Sequence, residues 1–219
     1  PALLEGMLRG EMELTQTPRV QKLSVLSARL AGFEHQLRKL PPEVSGGLLD
    51  NYLEATSRMA FAHHGTLTHF AGDRLDVLFG APDPMPDDEA LHSALFCGLH
   101  MHQAVYELSA CWKEAGLQPP QLCVGVHRGE ALVGTFGSEL RSEYTAIGPA
   151  MAMAEKLAQV ASPGSVTLCA SVATELPPGS SHDAGRMVLQ GEREAIPLAR
   201  LNIEHSGYLH QAGDHEATG

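Results

Sequence analysis

The sequence predicts an α/β domain of the α+β kind, with an antiparallel-rich sheet flanked by helices. Three observations carry that prediction. Short apolar runs rich in β-branched residues alternate with long stretches of helical apolar periodicity. Gly72-Asp73 separates two such runs and reads as a tight hairpin turn. The 219 residues, 43 % hydrophobic and 19 % charged, suit one substantial packed domain with short extensions.

Taken in order, residues 1–20 read as a lead-in or linker: Leu3, Leu4, Met7 and Leu8 recur at helical spacing until Pro18 breaks the pattern. Lys22–Arg29 is the first expected strand, ended by Gly32-Phe33. Pro41-Pro42 opens a long helix with Leu48, Leu49, Tyr52, Leu53 and Met59 as its apolar stripe, and Gly65 stops it. Thr66–Phe70 and Leu75–Phe79 are the hairpin strands; Asp76, three residues beyond Asp73, reads as a solvent-facing strand position without a role. After the loop from Pro82 to Asp88, a second long helix runs from Glu89 toward Trp112. Gln121–Val126, Ala131–Val133 and Glu143–Ile147 are expected strands, Ala150–Val160 a third helix, and Val166–Leu168 with Ile196–Leu201 the closing strands. Residues 203–219 form a polar, histidine-rich tail, expected to be disordered. The order β-α-β-β-α-β within residues 21–202 is the ferredoxin-like pattern.

Composition excludes several classes. The net charge is −11 and Lys and Arg form no cluster, which disfavours nucleic acid and anionic lipid as partners. No apolar run approaches the ~20 residues of a membrane span, so direct membrane insertion is not expected. Cys97, Cys111, Cys123 and Cys169 form no C-x-x-C pair and read as small buried hydrophobes in a reducing compartment, making the cytoplasm the expected location. The chain could equally be the cytoplasmic module of a larger membrane or multidomain protein. Among twelve histidines, His63-His64 and His100-x-His102 lie closest together, but neither has the ligand spacing of a zinc site.

Two stretches carry a family resemblance. Residues 125–134 read Gly-Val-His-Arg-Gly-Glu-Ala-Leu-Val-Gly, and 137–148 read Gly-Ser-Glu-Leu-Arg-Ser-Glu-Tyr-Thr-Ala-Ile-Gly before a helix. His69-Phe-Ala-Gly-Asp73 is followed by Leu78-Phe79-Gly80. Together they resemble a class III adenylate/guanylate cyclase catalytic domain. The resemblance implies a ferredoxin-like core and active sites at a dimer interface. It also implies two carboxylates holding Mg or Mn ions that activate the ribose 3′-oxygen and hold the phosphates.

The resemblance fails where the chemistry lies. The family's first metal-binding Asp, in a Phe-Ala-Asp-Ile-x-Gly-Phe motif, corresponds to Arg29 in Ser27-Ala-Arg-Leu-Ala-Gly-Phe33; a guanidinium has no lone pair to donate and repels a dication. Gly32 and Phe33 are kept, and the second carboxylate is kept as Asp73, which reads equally as a turn residue. The adenine-reading Lys is His69, the second base-reading position is Pro149, the transition-state Asn is Ala152, and the phosphate-steadying Arg is Lys156. The expectation is a catalytically degenerate cyclase-homology domain serving as a dimerising regulatory module, with no catalytic residues and no cofactor. Its partner would be a second copy or another cyclase-like domain. Asp73 would be a vestigial metal ligand, and Gly32, Phe33 and Lys156 would touch a nucleotide if one still binds. Arg29 and Asp73 would form an ion pair across the old metal position or splay into water. The alternatives are a divergent or heterodimer-dependent cyclase using Mg or Mn, and a nucleotide or small-anion sensor without turnover.

Overall fold

The computed structural model describes residues 17–38, 40–138, 140–188 and 194–202. The helical part of the expected lead-in and the expected tail at 203–219 lie outside the described residues. β1 (Arg19–Leu30) leads through the short α1 (Phe33–Leu37) to α2 (Pro42–Ala62) and the hairpin β2 (Thr66–Ala71) and β3 (Arg74–Phe79). Then come α3 (Asp87–Glu107), α4 (Ser109–Glu114), β4 (Leu122–Ser138), β5 (Arg141–Ile147) and α5 (Pro149–Val160). β6 (Ser165–Cys169), α6 (Ala170–Ala173), β7 (Ser181–Val188) and β8 (Ala195–Leu201) follow.

The sheet runs β2-β3-β1-β4-β6-β8-β7, with β5 paired on β4. Its first four strands, β2-β3-β1-β4, with the helices between them, form the β-α-β-β-α-β core. Every pairing is antiparallel except β4 with β6, whose connection passes through α5. A parallel neighbour needs such a crossover, because no tight turn can return the chain in the same direction.

Residues alternate between the two faces of each strand, so β1 serves two sides. Leu26, Ala28 and Leu30 meet Leu48 and Tyr52 of α2 and Leu91, Leu95 and Met101 of α3 in the main core. Leu23 and Val25 face the other way, joining Leu78, Val133, Ala150 and Ala154 beneath α5. α5 lies unusually close to the sheet at Gly125, where a Cβ would stand 2.3 Å from both the Ala154 carbonyl oxygen and the Ala158 nitrogen. That glycine is what lets α5, and the groove it borders, sit where they do.

Three expectations on elements need correction, and one strand was not expected at all. Gln121–Val126 and Ala131–Val133 belong to one 17-residue strand, β4, because Gly129 is accommodated within the ladder with β1 rather than ending it. β1 begins at Arg19, inside the expected lead-in, because β4 is long enough to pair with it there. The helix expected from Glu89 to Trp112 begins at Asp87 and ends at Glu107, with α4 following at Ser109. β7 gave no apolar signal: of its eight residues only Met187 is buried, as befits an outer strand pairing with β8 alone.

Candidate functional site

The groove lies between the β2–β3 hairpin, the end of β1, and α5. The hairpin turn at Gly72 has φ 61°, a left-handed backbone that glycine adopts without strain, and it delivers Asp73 against the end of β1. Asp73 is nearly buried: its Oδ2 accepts a 3.0 Å hydrogen bond from the Leu30 N–H, and its carbonyl oxygen accepts a 2.9 Å bond from the Tyr52 hydroxyl. Burial first, then the negative charges of Asp73 and Asp76, raises the Tyr52 phenol well above its ordinary pKa, so it stays a donor.

Arg29 Nε stands 4.0 Å from the same Asp73 Oδ2. The two charges are therefore neighbours, but the distance exceeds hydrogen-bond length, and the Arg29 side chain is 40 % exposed. A divalent ion prefers several oxygen donors and no cation beside them. Arg29 with one backbone-bonded carboxylate does not fit that requirement, and no reaction step is assigned to a metal here. Among the described residues no group of three or more His, Cys, Asp or Glu is arranged to hold a metal ion.

A second cluster sits beside the first, and the sequence reading missed it. Asp76 is 4 % exposed, where a solvent-facing side chain was expected. The β1–β3 register sets it opposite Ser27, whose hydroxyl donates to Asp76 Oδ1 at 2.7 Å. Arg74 Nη2 is 3.3 Å from Asp76 Oδ2, while Arg74 Nη1 is 2.7 Å from Glu155 Oε1 on α5. Burial pushes the Asp76 carboxyl upward, opposed by the Ser27 hydroxyl and by the nearby Arg74 and His69 charges. The usable signal was the hairpin itself: a turn at Gly72-Asp73 folded against the first strand brings Asp76 toward Ser27, one pleat from Arg29.

Two cavities flank the Arg74–Glu155 contact. One, of about 300 Å³, is bordered by His69, Asp76, Ile147, Gly148, Met151 and Ala152. The other, of about 200 Å³, is bordered by Ser27, Arg29, Glu34, Asp73 and Gln159. Arg74 and Glu155 border both. The sequence-named positions thus divide: His69 and Ala152 share one chamber, and Arg29 and Asp73 share the other. Four line neither. Lys156 is exposed and donates to Gln159 at 3.2 Å; Pro149 is exposed at the first turn of α5; Gly32 is exposed in a left-handed turn of φ 64°. The Phe33 side chain is buried in the main core with its ring 6.2 Å from Trp112.

The histidines also arrange themselves differently from their sequence neighbours. His63 at the end of α2 meets His100 of α3, with Nε2 and Nδ1 2.7 Å apart, so one ring donates a hydrogen bond and the other accepts it. His102, on another side of α3, is held by burial at a pKa of about 4.

The sheet order, the Gly72-Asp73 hairpin against β1 and the β4–β5 arm beside α5 define a nucleotide-cyclase type of domain. The chain belongs to the adenylate and guanylate cyclase catalytic domain family, whose model matches residues 15–198. Adenylate cyclase 1 of Rhizobium meliloti is 26 % identical over 176 residues, covering 76 % of this chain and 26 % of that protein. The chain thus spans about a quarter of that curated relative. The crystal structure of the adenylyl cyclase CyaB from P. aeruginosa superposes with a TM-score of 0.79 at 25 % identity, covering 85 % of this chain and 96 % of that one. The fold is also shared, at 12 % identity and a TM-score of 0.69, with a non-canonical dimeric guanylyl cyclase domain of the RhoGC fusion protein from Blastocladiella emersonii; the match covers 84 % of this chain and 97 % of that one. No helix among the described residues is long and apolar enough to cross a membrane.

Proposed function

We propose that this chain is a cyclase-homology domain that has given up cyclisation and acts as a dimerising regulatory module. The observation that carries the reading is Arg29 beside Asp73, a guanidinium 4.0 Å from the one remaining carboxylate at the position where the family binds its ions. Cyclisation needs both the metal charge and a positioned base. His69 and Ala152 in the neighbouring chamber offer neither the Lys nor the Asn of an adenylate cyclase. Loss of one transition-state stabiliser alone typically lowers the rate about 10²–10³-fold.

What the domain keeps is a surface. Phe70 on the hairpin is 47 % exposed, and Ile147 on the β5 arm, 53 % exposed, borders the 300 Å³ chamber; both are large apolar side chains left on the surface. Apolar groups so placed favour burial against a second cyclase-like domain, either another copy or a different chain. The expected setting is the cytoplasm. Sedimentation velocity at micromolar concentration tests the dimer: the wild type is expected to self-associate, and Phe70→Asp with Ile147→Asp to sediment as a monomer. A wild-type monomer at all concentrations that also ignores related cyclase domains in mixing experiments would contradict the reading.

A further inference from the structure

The Arg74–Glu155 ion pair crosses the groove midway and borders both chambers, so this chain's own side chains divide the space. At about 300 and 200 Å³, each chamber lies at or below the smallest of the usual small-molecule sites, about 300–1,000 Å³. We propose that Glu155 is an internal anion masking a polyphosphate-binding pair, Arg29 and Arg74, and that its release joins the two chambers into one site.

The three carboxylates around Arg74 are not equivalent. Asp73 is fixed by the Leu30 N–H, and Asp76 is buried on the sheet and takes the Ser27 hydroxyl. Glu155 comes from α5, and its side chain is 37 % exposed. It is the carboxylate that can leave without breaking a strand contact. Arg74 and Arg29 border the same smaller chamber, and both are partly exposed, at 30 % and 40 %. Arg29 is only loosely engaged by Asp73, at 4.0 Å. Planar guanidinium forks match phosphate oxygens, and two in one chamber match a chain of phosphates better than a single one. A partly exposed ion pair such as Arg74–Glu155 is weak enough for a multivalent anion to exchange with it. The proposal rests on the groove being the remnant of the family's site, but it does not depend on whether turnover occurs.

Calorimetric titration of the full chain with inorganic tripolyphosphate, in the absence of divalent ions, tests it directly. Glu155→Gln is expected to bind about tenfold more tightly than wild type, because Arg74 Nη1 is freed, Nη2 still facing Asp76, and one competing charge is gone. Adding Arg74→Ala to that variant should remove the gain. Should Glu155→Gln fail to fold, Glu155→Ala, which removes both the contact and the charge, is expected to show the same gain. ATP should follow tripolyphosphate across the variants. Affinity within about twofold of wild type in a folded Glu155 variant, a gain that survives Arg74→Ala, or a gain for ATP without one for tripolyphosphate would each overturn the proposal. A parallel assay for cyclic product keeps the outcomes separate: product without this binding pattern would contradict the function proposed above, and the binding pattern without product would support both.

Discussion

β1 and β3 show two faces with different chemistry. Leu26, Ala28, Leu30, Leu75, Val77 and Phe79 point toward α2 and α3 and are buried in an apolar core. The alternate residues start out apolar as well, with Val25 and Leu78 beneath α5, and then change character: Ser27, Arg29, Arg74 and Asp76 line the groove. The first face tolerates almost nothing but volume-matched apolar groups, because its energy is burial and close packing. The second face accommodates Arg29, at the position corresponding to the metal-binding Asp of the family's motif, because the guanidinium is 40 % exposed there. The demands of folding and of ligand chemistry therefore fall on neighbouring residues of the same strand.

The contrast can be broken most severely at Gly125, where α5 is seated. Gly125→Val would drive side-chain atoms into the α5 backbone, already 2.3 Å from an ideal Cβ, and should destabilise the domain by at least about 3 kcal/mol or prevent folding, read by urea denaturation. On the apolar face, Leu26→Ala should lose about 2–5 kcal/mol by the same measurement, since Leu26 is fully buried.

An acid titration separates the faces by a different route. His102 has its pKa lowered by burial from about 6.5 to about 4, so the folded state disfavours its charged form. Its contribution is therefore complete above the unfolded value and is lost as pH falls from about 6.5 through 4, amounting to about 3 kcal/mol or slightly more. His102→Leu should flatten that part of the stability–pH curve; an unchanged acid limb would show that His102 is not responsible. The smallest effect is expected on the groove face, where Arg29→Ala should change stability by less than about 1 kcal/mol because the pair with Asp73 is long and half-solvated. A large loss there would mean that the groove cations hold the fold.

The sequence was legible where residues act locally and opaque where they act through pairing. Apolar periodicity and Pro41-Pro42 located α2, and Gly72-Asp73 located the hairpin, because turn chemistry and helix starts are written in neighbouring residues. The motif positions Arg29, His69, Asp73 and Ala152 were read by resemblance and do border the groove. Asp76 and Glu155 were not, since Asp76 gains its meaning from Ser27, 49 residues away, and Glu155 from Arg74 on another element. β7 lacked a signal because an outer strand with polar residues on both sides has no periodicity to show. Phe33, carried over as a nucleotide contact, has its side chain in the core, where Trp112 gives it an aromatic partner.

The central claim is that the scaffold persists without the chemistry. Cyclic nucleotide formation from ATP and from GTP, in excess manganese, compared between wild type and Asp73→Ala, tests it most directly. The account predicts no product from either protein above background. Product from the wild type that disappears in Asp73→Ala would contradict it, and would mean that Asp73 still holds a catalytic ion despite Arg29.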